Sequence, residues 1–423
     1  MSLVIKNVSL LLGKDLSFID RGFVEIRKDG IIKKVKAGNY NNDCTQNNVI
    51  DAEGFLIIPG FINAHTHIGD SIGKDVTVDL GLDASVHPIF GMKRKILEGS
   101  KPNHLKTFIR SSALSMMKKG IVAFADFREG GPEGVKLLND AISGLPIKCI
   151  ILGRIEQYFN PTITTIKNKG TSNGKRSNKK LSSRMLRAAS DVLEIADGLG
   201  ISGANENTDE SLQQYRELIQ NNKWKKESLI AIHAGESKEA VEFSKSKMGK
   251  TEIERIIHYL DPNIMVHMTN VTEDDISLVS KKGIGIIVCP RANGMLGVGI
   301  PKVARMLRLG FKIGIGTDNV MINSPDIFRE LDYLWKVSRA TESQFINAKD
   351  ILKMATVNGA EILRLNSGYI ENGRLADIMF IDKNHLDLYP IHNPYASIVH
   401  RANQNSISGV MINGKFVDGM ELL

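Results

Sequence analysis

The stretch "IIPGFINAHTHIGDS", residues 57–71, decides how the chain is read. Ile57, Ile58, Phe61 and Ile62 spell a strand, with Pro59-Gly60 as a corner. Alternate residues of a strand share a face, so His65 and His67 point the same way, with Asn63 beneath them. Two imidazoles side by side are what a single cation needs. The pair alone is weak support. Ten His among 423 residues give an H-x-H spacing by accident in roughly one chain of four.

Working outward, the same kind of apolar run recurs. "GIVAFADF", "PIKCIILGR", "GLGISGAN", "SLIAIHAGE", "NIMVHMT", "GIGIIVCPR" and "FKIGIGTDN" follow "GFINAHTH". Amphipathic stretches such as "HLKTFIRSSALSMMKKG" and "TDESLQQYRELIQNNK" separate them and end near Gly, Asn or Lys, as helices do. Eight strand-helix units in series predict an α/β fold, a (β/α)8 TIM barrel. The runs are continuously apolar, as strands covered on both faces are. Their polar residues gather at the C-terminal ends, where such barrels carry their chemistry. Before residue 58 the pattern is short β pieces, read as hairpins punctuated by Asp29-Gly30 and Glu53-Gly54. After "DILKMATVNGAEILRL" it returns to "GRLADIMFID", "SIVHRA" and "SISGVMINGKFVDG", again read as β pieces, with "HNPY" at 392–395 among them. The expected organisation is a barrel over 58–365 and a small β-sandwich domain built from 1–57 and 366–423.

Composition narrows the function. Hydrophobic residues make up 42% of the chain, enough for a large core, and no apolar run approaches about 18 residues. The opening "MSLVIKNVSLLLGKDLS" lacks the features of a signal peptide and reads as a strand. Cys44, Cys149 and Cys289 are far apart, which fits reduced thiols in a cytoplasmic protein. The net charge of +8 is matched by the eight Lys and Arg residues between Asn160 and Ser190, a stretch with no acid. That stretch is rich in Gly, Ser and Asn and poor in aromatics, so it reads as a surface loop, a lid or a disordered segment, not a nucleic-acid surface. Neither nucleic acid nor membrane is an expected partner; a small molecule is.

The remaining polar residues fall in register. His233 ends the fifth run with Glu236 three residues on, His267 ends the sixth, and Asp318 ends the eighth. In a barrel those ends ring one pocket. Each residue alone has a structural explanation, but their joint placement argues for one metal site. Three His and one Asp suit a divalent ion such as Zn²⁺ or Fe²⁺, and His-rich ligation disfavours Mg²⁺ and Ca²⁺. Such an ion lowers the pKa of bound water from about 15.7 toward about 7. Glu236 is placed to move protons. His267 is either a fourth His ligand or, the favoured reading, a hydrogen-bonding group for the developing oxyanion.

Together "PGFINAHTH", "HAGE", His267, "CPRAN" and "GTD" resemble the amidohydrolase superfamily, and within it the branch of cytosine, guanine and S-adenosylhomocysteine deaminases and triazine hydrolases. "VIDAEGFLIIPG" and "ATVNGAEILRL" through "VMINGKFVDG" resemble that branch's two-ended β domain, so the likeness covers nearly the whole chain. It implies one metal held by His65, His67, His233 and Asp318, with zinc first and iron second. It also implies catalytic roles for Glu236 as proton shuttle, for His267, and for Asp318 as acceptor of the remaining proton. The bridging lysine of binuclear relatives has no counterpart in "DGLGISGANEN". The likeness also leaves room for a homo-oligomer. The implied reaction is hydrolytic deamination of a nucleobase-like or nucleoside-like heterocycle by metal-bound hydroxide, with ammonia leaving. Hydrolysis of a cyclic or N-acyl amide at the same site is the alternative, and a non-catalytic binding barrel is the third reading. Candidate substrate contacts in the loops are Asp70, Arg128, Glu129, Glu156, Glu206 beside Asn205, Arg291 and Asn293. An arginine such as Arg291 suits a carboxylate or phosphate.

Overall fold

The computed structural model describes residues 2–41, 48–155, 180–222, 227–342 and 344–417. The N-terminal end supplies β1 (Leu3–Leu12), β2 (Ser17–Ile26), β3 (Ile32–Ala37), β4 (Asn48–Asp51) and β5 (Phe55–Pro59). The Asp29-Gly30 turn joins β2 and β3 as the expected antiparallel hairpin, with Gly30 in the left-handed region at φ 82°. The hairpin expected at Glu53-Gly54 does not form. β4 and β5 both pair in parallel with β1, β4 along Leu3–Lys6 and β5 at Ser9 and Leu10. β1 is ten residues long and seats both, so the turn steps the chain along β1 without folding it back.

The eight apolar runs are all strands: β6 (Phe61–His67), β7 (Ile121–Arg128), β8 (Lys148–Gly153), β9 (Gly198–Ile201), β10 (Leu229–Ala234), β11 (Ile264–His267), β12 (Gly285–Val288) and β13 (Ile313–Ile315). Each pairs in parallel with the next. β14 (Asp318–Asn319), just past β13, pairs with Thr66 and His67 of β6. The sheet thus curls until its last strand meets its first, a TIM-barrel-like arrangement. β6 and β7 are buried along their whole length, which is why they read as apolar runs without alternation. The intervening helices start where the sequence offers caps. Thr208 with Ser211, and Thr272 with Asp275, close capping boxes.

The C-terminal end adds β15 (Ile378–Asp382), β16 (Ile407–Ile412) and β17 (Lys415–Phe416). They join the N-terminal strands in one eight-stranded sheet ordered β17-β16-β15-β5-β1-β2-β3, with β4 also on β1. Residues such as Ile5, Val24, Ile57, Ile378 and Phe380 give this sheet a core of its own, while Leu56, Ile58, Met379 and Ile381 join the main core. "SIVHRA" is not a β piece. Pro394–His400 is a helix, and it packs against the helices Ile327–Thr341 and Ala348–Met354. Asn393 caps it and Pro394 occupies its first turn, so the "HNPY" motif is a helix start that overrides the β-branched residues behind it.

A glycine and an ion pair lie where the two sheets meet, beside apolar residues such as Ile58 and Met379 that join the main core. The chain passes from β5 into β6 through Gly60, where a Cβ would sit 2.3 Å from Val122 Cγ1. Lys148, the first residue of β8, donates to both carboxylate oxygens of Asp377 at 2.7 Å. Cys289 is buried and Cys149 half-buried, while Cys44 lies outside the described residues. Among the described residues no helix is long and apolar enough to cross a membrane. Most of the basic segment, residues 156–179, also lies outside them.

Candidate active site

The strand ends converge as their register requires. His65 and His67 are buried on one face of β6. Asn63 beneath them receives the Thr317 backbone N–H at 3.0 Å and donates to Thr317 Oγ1 at 2.8 Å. That zip brings Asp318 beside the imidazole pair. Asp318 Oδ1 lies 3.4 Å from His65 Nε2 and 3.6 Å from His67 Nε2. His233 Nε2, arriving on β10, lies 3.3 Å from both of those nitrogens. His267 and Asp318 sit at φ 77° and 61°, left-handed positions that are costly for residues with side chains and collect at functional sites.

The ring nitrogens show what the centre is for. His67 Nδ1 faces Glu129 Oε1 at 2.9 Å, and His233 Nδ1 faces the Ser202 carbonyl at 2.6 Å. Both partners only accept, so both Nδ1 atoms carry the proton and both Nε2 atoms present lone pairs. Burial first, then the Lys93 charge, pushes His67 down to about 3. Burial, then the neighbouring His65, holds His233 well below the ordinary imidazole range. Neutral rings with lone pairs facing each other at 3.3 Å repel unless a cation lies between them. Ligands about 2.0–2.1 Å from a tetrahedral ion stand roughly 3.4 Å apart, so the observed spacings fit a metal ion between them. The donor set is therefore suited to a divalent metal ion, and His65, His67, His233, His267 and Asp318 make up the two groups spaced to hold one among the described residues.

Glu236 and His267 stand beside these donors. Burial, opposed by the His267 charge, raises Glu236 to about 7. His267 Nε2 lies 3.6 Å from Glu236 Oε1, and its Nδ1 donates to Asn293 Oδ1 at 2.9 Å. A cavity of about 270 Å³ opens from this centre. Leu82, Val86, Pro88 and Phe243 give it apolar walls, and Lys93, Arg154, Glu206 and Glu252 give it charged ones.

The expected substrate contacts divide. Glu206 lines the cavity. Asp70, Arg128, Glu129, Arg291 and Asn293 do not, and each has a structural partner instead. Asp70 accepts the Met321 N–H at 3.0 Å. Arg128 turns under the loop, donates to the Gly134 carbonyl and packs on Gly69. Glu129 receives Lys93 Nζ at 2.6 Å as well as His67. The Lys93 charge, the His67 hydrogen bond and the Arg154 charge outweigh its burial and hold its carboxyl well below the usual range. Arg291 pairs with buried Glu330 at 3.3 Å and faces a separate hollow. Asn293 orients His267. Glu156 lies outside the described residues. Conversely, Lys93, Arg154 and Glu252 were not singled out from sequence. Arg154 had a signal, since it closes the third apolar run. Lys93 and Glu252 lie on helices with no comparable mark.

The ring of strands, the donor set at their ends and the paired Glu236 and His267 match one known pattern. A model described as the amidohydrolase family covers residues 56–417. The chain belongs to the amidohydrolase family. Its members hydrolyse carbon–nitrogen bonds other than peptide bonds, and the relatives of this amidohydrolase include proteins named as deaminases. A Methanothermobacter thermautotrophicus protein is 35% identical over 98% of this chain and 99% of its own. The 5-methylthioadenosine/S-adenosylhomocysteine deaminase of Thermococcus sibiricus is 28% identical, covering 99% of this chain and 94% of the relative. The zinc-bound adenosine deaminase of Xanthomonas campestris shares the fold at a TM-score of 0.81 and 19% identity, over 100% of this chain and 94% of that one.

Proposed function

We propose that this amidohydrolase deaminates an aminated heterocycle, with zinc held by His65, His67, His233 and Asp318. The observation that carries the reading is the meeting of three Nε2 atoms and one carboxylate oxygen, with His233 3.3 Å from His65 and His67 and Asp318 3.4 and 3.6 Å from the same two, in the lining of a cavity with an apolar wall. The deaminase names of full-length relatives support the substrate class.

The bound ion supplies Lewis acidity that makes water nucleophilic near neutral pH. The protein's residues do the rest. Glu236, poised near 7, takes a proton from the attacking water and passes it to the ring nitrogen or the departing amine. His267, oriented by Asn293, steadies the oxyanion that develops on the attacked carbon. Asp318 accepts the remaining proton and gives it to whichever of those two nitrogens Glu236 has not protonated, so that the carbon–nitrogen bond breaks and the amine leaves as ammonia. The cavity walls hold the ring and exclude bulk solvent. In the same reading residues 58–365 form the barrel domain, and 1–57 with 366–423 form the β-sandwich domain.

The test is metal analysis of the purified protein followed by a screen of aminopurines and aminopyrimidines for released ammonia. One zinc per chain and ammonia release are expected, both lost on chelation and restored by zinc. Glu236→Gln should keep its metal and lose about 10²–10⁴ in kcat. Turnover that survives complete metal removal, or a fully active Glu236→Gln, would overturn the reading.

A further inference from the structure

The cavity has a second pair of carboxylates, Glu206 and Glu252, beside the strand ends that carry His233 and Glu236. Glu252 is 4% exposed, and one of its oxygens accepts the Gly235 N–H at 3.1 Å, which fixes the carboxylate. Its other oxygen, Oε1, and Glu206 Oε2 flank Gly203. They lie 3.6 and 2.6 Å from the point where a Cβ on Gly203 would sit. Any larger residue at 203 would fill the gap between these carboxylates and the cavity.

Charge distinguishes this pair from the catalytic centre. Burial and then the Glu206 charge raise Glu252 to about 7 even with the Arg255 charge opposing them, as expected of two carboxylates buried side by side. Asp83 and Glu239 add negative charge at the exposed rim. The two cations in the cavity wall, Lys93 and Arg154, both contact Glu129, at 2.6 and 3.5 Å. A phosphate or carboxylate would therefore meet repulsion here. A metal ion is not the expected occupant either, because among the described residues only the His-containing groups are spaced to hold one. An ammonium group relieves the repulsion between the two carboxylates and donates to both.

We propose that Glu206 and Glu252 form a recognition site for a cationic amine arm of the substrate, so that the amidohydrolase prefers an aminated heterocycle bearing such an arm to its neutral or phosphorylated analogue. The proposal rests on the deaminase reading only for where the heterocycle lies.

The test uses the full-length, zinc-loaded protein and three 6-aminopurine nucleosides that differ only at the 5′ position, which carries an amine, a hydroxyl or a phosphate. Binding is measured by calorimetry, with ammonia release followed in parallel. The amine should bind at least about 10-fold more tightly than the hydroxyl compound, and the phosphate most weakly. In Glu206→Gln/Glu252→Gln the amine preference should collapse to about 2-fold or less. Should that variant misfold by circular dichroism, Glu206→Gln alone should remove most of the preference. Equal binding of amine and hydroxyl compounds, tightest binding of the phosphate, or a preference that survives the substitutions overturns the proposal. Selective amine binding without ammonia from any compound would overturn the deaminase reading and leave this site standing.

Discussion

Two places in this molecule bury charge, and they do so differently. At the junction between the sheets, Asp377 has no exposed side chain and Lys148 is 18% exposed. Both Asp377 oxygens are paired to Lys148, and Oδ1 also receives the Asn413 N–H at 2.8 Å. At the mouth of the barrel, by contrast, His65 Nδ1, Asp70 Oδ2, Asp126 Oδ2, Arg128 Nη1 and Glu129 Oε2 are buried without a hydrogen-bond partner among the described residues. A saturated polar pair makes a joint. An unsaturated cluster carries a cost that the fold tolerates when the cluster serves chemistry.

Breaking the contrast at the site should show first in metal affinity, at Glu129. Glu129→Gln keeps an oxygen for His67 Nδ1 but removes the negative charge that makes the imidazole a better donor. It also turns an amide toward Lys93 and Arg154. Zinc affinity should fall about 10–100-fold, read by competition with a chromogenic chelator, while the fold is retained. Unchanged affinity would reduce Glu129 to a packing residue.

The junction should respond in stability instead. Lys148→Met leaves Asp377 buried beside an apolar side chain and should destabilise the protein by about 3 kcal/mol in denaturant unfolding. Activity per folded molecule should stay as it was, because Lys148 lies at the opposite end of β8 from the chemistry. A large loss of kcat with unchanged stability would contradict the division between joint and site.

How much of this was legible in the sequence follows from the same division. All eight barrel strands were, because burial on both faces leaves an apolar run that any reader can find. So were His65, His67, His233, His267 and Asp318, because strand register carries them to one rim. The loop residues were not. Asp70, Arg128, Glu129, Arg291 and Asn293 occupy the right loops, but direction decides whether a side chain meets substrate or a neighbour, and sequence does not carry direction. Arg291 shows this best. Its loop abuts the catalytic loops, yet Glu330, 39 residues on and fully buried, turns the guanidinium away. "SIVHRA" failed for a different reason. Its local β propensity is real, but an Asn cap followed by Pro commits the backbone before propensity acts.

Glu330 also gives the most specific prediction. Burial, opposed by Arg291, raises its carboxyl from 4.5 to about 8. Between those values the folded protein binds a proton there that the unfolded chain has lost, so this residue's contribution to stability falls as pH rises from about 4.5 to about 8. Glu330→Gln removes the titration and keeps an oxygen to receive the Arg291 N–H. The variant should therefore gain in melting temperature relative to the parent as pH rises through that window, and the two should converge near pH 4.5. Parallel melting curves across the window would mean that Arg291 fully compensates the buried carboxylate. The mouth would then be saturated on that side, like the junction.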